Sequence, residues 1–149
     1  MEEIFQFTVE EELTMLGRLL VALLAGAIVG LERRLRDRPA GIRTLSLVSV
    51  GACLFTLVSI YGFRGLGTVQ DPARVAAQIV TGVGFIGAGT MIASQAGIVR
   101  GLTTASGIWV VAGLGMAAGV GMYVVAIVGS LLTAVVLYLF PRGRNGTRD

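Results

Sequence analysis

Three long stretches of this sequence contain no charged residue: residues 44–63, 75–99 and 101–140. About 20 apolar residues cross the ~30 Å hydrocarbon layer of a bilayer as a helix, so the last stretch is long enough for two crossings. A weaker apolar stretch, residues 13–31, comes first in the chain and carries Arg18 near its start. Backbone groups inside lipid must be hydrogen-bonded within the protein, which favours helices over strands in continuous apolar runs. We therefore predict an all-α, polytopic helical membrane protein with about five transmembrane helices, at residues 13–31, 43–63, 73–94, 101–119 and 122–140.

The basic residues are distributed unevenly around these predicted helices. All twelve are arginines, and the chain contains neither lysine nor histidine. Nine lie on one side of the membrane (Arg33, Arg34, Arg36, Arg38, Arg43, Arg100, Arg142, Arg144 and Arg148) and three on the other (Arg18, Arg64 and Arg74). By the positive-inside rule, the side with nine arginines is cytoplasmic. The alternative interpretation of the arginine-rich first loop is that it binds lipid headgroups or another anion.

This orientation divides the chain into three parts. Residues 1–12 form an extracytoplasmic segment, residues 13–140 a transmembrane domain and residues 141–149 a cytoplasmic tail. The N-terminal segment is acidic where a secretory signal needs a basic start, so we expect no signal peptide.

The composition argues against several classes of function. Only 14% of the residues are charged and 54% are hydrophobic, whereas soluble domains usually carry about a quarter charged residues. Without histidine or lysine, and with Cys53 alone in the middle of a predicted span, the usual catalytic bases and nucleophiles are missing. We therefore expect neither an enzyme nor a bound cofactor. The excess of arginine is better explained by membrane orientation than by nucleic-acid binding.

The segment GVGFIGAGTM (82–91) contains the pattern G-x-G-x-x-G of dinucleotide-binding sites. Such a site also needs a carboxylate about 20 residues later, and no Asp or Glu occurs between Gly89 and Arg148. Glycines at helical spacing instead let membrane helices approach closely. Because these glycines occupy two faces, we predict that the third helix is the central one. The residues predicted to pack helices are Gly26, Gly30, Gly82, Gly84, Phe85, Gly87, Gly89 and Trp109.

Two groups of polar residues lie at the predicted membrane depth or close to it. Asp71, Arg74 and Gln78 fall on one face of the third helix, and we interpret them as the outer half of a functional cleft. The alternatives are an N-cap for Asp71 and an interhelical hydrogen-bond network for the whole stripe.

The second group lies on the cytoplasmic side, around the ends of three predicted helices. Glu32 ends the first helix, where the helix dipole disfavours an anion, so we expect Arg43 or Arg100 to pair with it. Thr44, Thr103 and Thr104 occupy first turns near those arginines, where they either join the site or bond to the backbone. Which metal, if any, these groups bind is not indicated by the sequence.

Two segments of the chain are similar to each other: PAGIRTLSLVSVGA (39–52) and QAGIVRGLTTASGI (95–108). An offset of 56 residues aligns Gly41 with Gly97 and Gly26 with Gly82. This indicates either an internal repeat of parallel helical pairs or a chance similarity between glycine-rich segments. In the first case, the two helix starts form a paired cytoplasmic site.

Three segments together carry a long and specific pattern: GAIVGLERRLRDRPAGIRTLSLVSVGACLF (26–55), DPARVAAQIVTGVGFIGAGTMI (71–92) and GLTTASGIWVVAGLGMAAGVG (101–121). In this combination the chain resembles the MgtC/SapB family of bacterial inner-membrane proteins over most of its length. Family motif positions correspond to Glu32, Gly41, Arg43, Thr44, Asp71, Arg74, Gln78, Gly82, Gly84, Phe85, Gly87, Gly89, Gly101, Leu102, Thr103, Thr104 and Trp109.

The resemblance implies a role in growth at low magnesium and in the survival of pathogens inside macrophages. Many members carry a C-terminal soluble domain; we expect this chain to lack it after Pro141, and we therefore do not expect the functions tied to that domain. Two functions remain. One is a regulator that modulates membrane partners such as the F-type ATP synthase, and the other is a transporter of Mg²⁺ or another small ion or solute. We also expect the chain to form a homo-oligomer in the lipid bilayer.

Overall fold

The computed structural model describes residues 7–64, 71–93 and 99–140. Within these ranges the chain is helical apart from short turns and one two-residue strand pair, which confirms the predicted all-α class. The helices are α1 (Val9–Leu35), α2 (Ile42–Tyr61), α3 (Pro72–Gly89), α4 (Leu102–Val120) and α5 (Tyr123–Leu139). The strands β1 (Ile92–Ala93) and β2 (Val99–Arg100) pair antiparallel between α3 and α4. The predicted tail, residues 141–149, lies outside the described residues.

The first helix is longer at both ends than the apolar stretch indicates. It begins at Val9 because the Thr8 hydroxyl accepts a hydrogen bond from the Glu11 N–H (3.2 Å), while Glu11 Oε2 accepts one from the Thr8 N–H (3.1 Å). This reciprocal arrangement satisfies two amide groups that a helix start would otherwise leave free. At the other end the helix continues to Leu35, and basic residues in the last turn interact favourably with the helix dipole.

The third helix is shorter than predicted, ending at Gly89 rather than near residue 94. The Thr90 N–H and hydroxyl both donate to the Gly87 carbonyl oxygen, at 3.0 and 2.7 Å, and the strand pair follows. Gly101 then starts α4 with a φ of 90°, and a Cβ there would collide with the Thr90 carbonyl oxygen. Glycine is therefore required at this turn. The position of this helix end is not evident from the sequence, because residues 75–99 are uncharged throughout and apolar residues are compatible with both a helix and a strand pair.

The central helix of the bundle is α4, so the prediction that the third helix is central is wrong. α4 packs against each of the other four helices, whereas α3 packs against α4 and, less extensively, α2. Ile108, Val111 and Ala118 of α4 are completely buried. α4 can contact four neighbours because glycine and alanine occur on several of its faces.

α1 and α2 approach each other closely at two glycines of α1. A Cβ at Gly26 would lie 2.6 Å from the Leu45 carbonyl oxygen, and a Cβ at Gly30 would lie 2.5 Å from the Ile42 Cα. Both atoms belong to the backbone of α2, so neither can move aside easily. The backbones of the two helices are in direct contact along this face.

α2 and α4 are in contact in the same way, through glycines of α4. A Cβ at Gly119 would lie 2.7 Å from the Thr56 Cβ, and a Cβ at Gly115 would collide with the Ser49 carbonyl oxygen. Ser49 is completely buried at this crossing. α2 therefore lies between α1 and α4 with close backbone contacts to each of them.

The outer surface of the bundle is apolar, as expected for contact with lipid. Large side chains such as Leu20 and Leu24 of α1, and Leu132 and Val136 of α5, are more than half exposed. α1, α2 and α4 are long and apolar enough to cross a membrane, whereas α3 and α5 are apolar but shorter.

The two halves of the predicted internal repeat pack differently. Gly26 contacts the backbone of α2, but the residue aligned with it, Gly82, has nothing within 4 Å of an added Cβ. The aligned residues 96–98 lie outside the described residues. At this aligned pair of glycines the helix packing is therefore not equivalent.

Two arginines at the end of the bundle opposite the arginine-rich loop have structural partners. Arg18 Nη1 donates to the Gly119 carbonyl oxygen (2.8 Å) at the end of α4, and Arg64 pairs with Glu11 (3.1 Å). Both guanidinium groups also lie over the Tyr61 ring, at 5.5 and 4.2 Å from its centre. From the sequence, these arginines indicate the orientation of the chain in the membrane and no structural contact.

Replacing Gly26 by alanine tests the contact between α1 and α2. The added methyl group should destabilise the bundle by about 1–3 kcal/mol, because it overlaps the backbone of α2. Gly17→Ala is the matched control in the same helix, since nothing lies within 4 Å of its Cβ. Alanine there should stabilise the helix by up to about 1 kcal/mol. Unfolding in detergent measures both, and equal effects would contradict the described packing.

Arg18→Met should weaken the bundle by about 1.5–3 kcal/mol, because a charge-assisted hydrogen bond to the carbonyl end of α4 is lost. Arg34→Met provides the control, since the Arg34 side chain is exposed and has no hydrogen-bond partner among the described residues. The same unfolding measurement compares the two, and an unchanged stability of Arg18→Met would show that the hydrogen bond contributes nothing.

Candidate functional site

A cavity of about 410 Å³ opens at the end of the bundle where α1 ends and α4 begins. Its wall combines four arginines with the first turn of α4 and two apolar residues of the α5 end. The lining residues are Arg33, Arg36, Arg38, Pro39, Arg100, Gly101, Leu102, Thr103, Thr104, Leu137 and Phe140. We refer to this space as the arginine cavity.

Arg33 lies at the base of the arginine cavity and is 6% exposed. Its Nη2 donates to the Thr104 hydroxyl (3.2 Å), and Thr104 is itself buried. Arg33 continues the buried face of α1, which includes Ala22, Ala25 and Val29. The hydrogen bond therefore joins the last turn of α1 to the first turn of α4.

Arg36 connects α1 to α5 on another side of the cavity. Its Nε lies 3.2 Å from Glu32 Oε1, and its Nη2 donates to the Tyr138 carbonyl oxygen (2.9 Å). The guanidinium group also lies 4.8 Å from the centre of the Tyr138 ring. The partner of Glu32 is thus Arg36, four residues along the same helix, and not Arg43 or Arg100 as predicted.

Arg38 and Arg100 complete the positive wall of the cavity. Arg38 lies in the turn between α1 and α2, and Arg100 is held in β2, just before α4. Both are exposed, and neither forms an ion pair with an acidic residue in the described parts of the chain. Four arginines therefore face one cavity, and Glu32 pairs with one of them.

The predicted cytoplasmic cluster is brought together in part. Arg100, Thr103 and Thr104 line the arginine cavity, whereas Arg43 and Thr44 are exposed in the first turn of α2, away from it. Of the two helix starts that an internal repeat would pair, the first turn of α4 lines the cavity and the first turn of α2 does not.

Arg33, Arg36 and Arg38 line the cavity, although they belong to neither of the two polar groups predicted as sites. For the loop that carries them, anion binding was the alternative interpretation and membrane orientation the main one. A usable signal exists for Arg33, since it follows Val29 at helical spacing on the face that buries Ala22 and Ala25. No comparable signal marks Arg38, which lies in a turn.

The outer polar stripe does not form an enclosed cleft within the chain. Asp71 Oδ1 accepts a hydrogen bond from the Ala73 N–H (2.9 Å), so this residue is an N-cap of α3. Arg74 and Gln78 are exposed on the bundle surface. Gln78 borders an open, largely apolar groove of about 570 Å³ between α2 and α3, together with Gly82.

Most of the glycines predicted to pack α3 are exposed in the single chain. Nothing lies within 4 Å of a Cβ built on Gly82, Gly84 or Gly89, and Phe85 is 77% exposed. Gly87 does face α4, where its Cβ would lie 3.6 Å from the Ala105 Cβ.

The prediction that Trp109 packs inside the bundle is wrong, because its side chain is 56% exposed. It lies on the surface of α4, beside the residues of α3 that pack against that helix. α4 is central, yet one of its faces is left uncovered next to α3.

The described residues contain no group of three or more histidine, cysteine, aspartate or glutamate side chains placed to hold a metal ion. Instead, they combine a positively charged cavity with an exposed polar face on α3. These two surfaces present the polar and charged side chains that could bind a ligand or a partner protein.

The sequence of this chain is similar to those of a known protein family. The family model described as the MgtC family matches residues 19–145. The chain is 48% identical over 127 residues to "Putative magnesium transporter YhiD" of Escherichia coli K12, covering 83% of this chain and 59% of that protein. It is 40% identical to "Protein SapB" of Bacillus subtilis, covering 81% of this chain and 54% of SapB. It is 41% identical to "Protein MgtC" of Salmonella typhimurium, covering 76% of this chain and 47% of MgtC.

These matches extend over most of this chain but not over most of its relatives. The match spans about half the length of the relatives named here, from 47% of MgtC to 59% of YhiD. No solved structure matches it. Since the family model covers far more than half of the sequence, and the helices and apolar surface are those of a membrane protein, the chain belongs to the MgtC family.

Proposed function

We propose that this chain is a protein of the bacterial inner membrane that acts in adaptation to low magnesium by binding and modulating other membrane proteins. Its family and the names of its relatives, which refer to MgtC and to magnesium transport, support the link to magnesium. The exposed polar face of α3 supports action through a partner. An F-type ATP synthase is the kind of partner that the family resemblance implies.

The observation that carries the proposal is the position of Gln78. It lies seven residues beyond Asp71, which is about 10 Å along the helix axis at 1.5 Å per residue. The flanking residues 75–99 are uncharged, so Gln78 is expected inside the hydrocarbon layer. Its side chain is exposed, and it forms no hydrogen bond with any residue in the described parts of the chain.

An exposed amide at this depth favours binding to another helix. Its oxygen and NH₂ group can take part in several hydrogen bonds, and leaving them in lipid is unfavourable. A partner helix that presents a polar group to Gln78 removes this cost. Gly82, one turn further along α3, leaves space for the partner's backbone to approach.

Thr81 shows that polarity alone does not create such a site. It is also exposed on α3, but its hydroxyl donates to the Ala77 carbonyl oxygen (3.1 Å) of its own helix. Its hydrogen-bonding requirement is met without a partner. Gln78 and Thr81 are therefore a matched pair of exposed polar residues, one unsatisfied and the other satisfied.

Transport of Mg²⁺ is the competing hypothesis, and the distribution of charge favours it less. Glu32 pairs with Arg36 at one end of the bundle, while Asp71 caps α3 at the other. The arginine cavity repels a divalent cation. A homo-oligomer that collected several Asp71 side chains would favour transport instead.

Gln78→Leu should leave the bundle stable and reduce the amount of co-purified partner about tenfold, because an interhelical hydrogen bond in lipid contributes about 1–2 kcal/mol. The tagged chain is isolated from membranes in mild detergent, and the associated proteins are quantified by mass spectrometry. The same variant should fail to restore growth at low magnesium to a strain that lacks the gene. Thr81→Val, the control, should behave like the wild type in both assays.

Two results would contradict the proposal. The first is recovery of nothing but further copies of this chain, which would make α3 a homo-oligomer interface. The second is Mg²⁺ flux into liposomes containing the purified chain, when that flux is lost in both Asp71→Asn and Glu32→Gln.

The proposed orientation predicts opposite labelling of the two ends of the bundle. Leu35 and Phe63 lie at opposite ends, and both are exposed, so single cysteines there should react readily in a Cys53→Ala background. A membrane-impermeant maleimide should label Phe63→Cys in intact spheroplasts and Leu35→Cys after lysis. Labelling of both cysteines in intact spheroplasts would rule out this orientation.

A further inference from the structure

We propose that the arginine cavity is a binding site for a phosphate-bearing anion. The inference is independent of the partner proposed for α3, because the two surfaces share no residue. It rests on the convergence of charge, hydrogen-bond donors and enclosed space at one end of the bundle.

The charge around the cavity is strongly positive. Arg33, Arg36, Arg38 and Arg100 come from three separate segments: the end of α1, the following turn and β2. The lining contains no carboxylate, and the nearby Glu32 pairs with Arg36. Four guanidinium groups held together repel one another, so an anion bound between them stabilises the arrangement.

The donors around the cavity match the geometry of a phosphate group. Guanidinium groups bind phosphate oxygens through paired N–H donors, and the hydroxyls of Thr103 and Thr104 add further donors. The first turn of α4 also forms part of the wall, and its N-cap, Gly101, has no side chain to bond to the free amides. Such amides are well suited to an anion. The volume of about 410 Å³ is within the ~300–1,000 Å³ range of small-ligand sites.

Membrane orientation alone does not explain this arrangement. An arginine that serves only as a topology signal needs to be near the membrane surface, and exposed Arg34 and Arg43 meet that need away from the cavity. Arg33, by contrast, is 6% exposed and bonded to Thr104. Burying a guanidinium group is costly unless it is paired. The buried position of Arg33 therefore indicates a binding site and not a topology signal.

The phosphate group can come from two sources. Leu137 and Phe140 of the α5 end line one side of the cavity, where they can contact the glycerol and upper acyl chain of an anionic lipid. A free phosphate ion can reach the same donors from the aqueous side. The recognition chemistry is identical in both cases, so the two sources are distinguished by experiment.

The test compares two double variants of equal charge. Arg38→Gln with Arg100→Gln removes two exposed arginines of the cavity, whereas Arg34→Gln with Arg43→Gln removes two exposed arginines outside it. Arg33 is left unchanged because its removal would disturb the junction between α1 and α4. Thermal unfolding in detergent verifies that both proteins remain folded.

Binding of inorganic phosphate is measured by calorimetry in an uncharged detergent. Retention of phosphatidylglycerol or phosphatidylcholine is measured by native mass spectrometry from nanodiscs of each lipid. The cavity variant should bind at least about tenfold more weakly than the wild type, because it loses two guanidinium groups that can form charge-assisted hydrogen bonds with phosphate. The control should bind within about twofold of the wild type. Binding of phosphatidylglycerol that phosphate does not displace identifies a lipid site, and binding of phosphate alone identifies a soluble ligand. Equal losses in the two variants, or no binding of either probe to the wild type, would overturn the proposal.

Discussion

The direct backbone contact of α2 with α1 on one side and α4 on the other is the constraint on which the rest of the structure depends. Lipid tails are as apolar as leucine, so membrane helices gain little from burying apolar surface and depend instead on close packing. Gly26 and Gly30 allow this contact with α1, and Gly115 and Gly119 allow it with α4. Because the opposing atoms at Gly26, Gly30 and Gly115 are backbone, the contacts determine how far each helix can slide along its neighbour.

The arginine cavity is a consequence of that helix register. The face of α1 that contains the packing glycines continues through Val29 to Arg33, which reaches Thr104 on α4. The same register brings Arg36 to the end of α5, where it bonds to the Tyr138 backbone. The arginines of one sequence segment are thus divided: Arg33, Arg36 and Arg38 line the cavity, while Arg34 is exposed and does not line it.

The sequence predicts the number and class of the helices well, because uncharged runs of this length have few alternatives in a membrane. It also identifies Gly26 and Gly30 as packing residues of α1, and these do contact α2. The predicted packing roles of Gly82 and Trp109 are wrong for the single chain. A glycine pattern shows that another helix can approach closely, but it does not show which helix is the neighbour. The partner of Glu32 is also not the one predicted, because Arg36 at the end of α1, four residues further along the chain, pairs with it instead of Arg43 or Arg100.

The two surfaces proposed for recognition, the exposed face of α3 and the arginine cavity, are linked by one structural element. α3 is peripheral, and the strand pair β1–β2 joins it to the start of α4. β2 carries Arg100, and the turn beside it requires glycine at Gly101 because the Thr90 carbonyl lies against that position. Since Thr90 directly follows α3, a displacement of α3 acts on the same backbone that positions Arg100 and the first turn of α4. A partner bound to α3 and an anion bound in the cavity would therefore both contact elements that this strand pair joins.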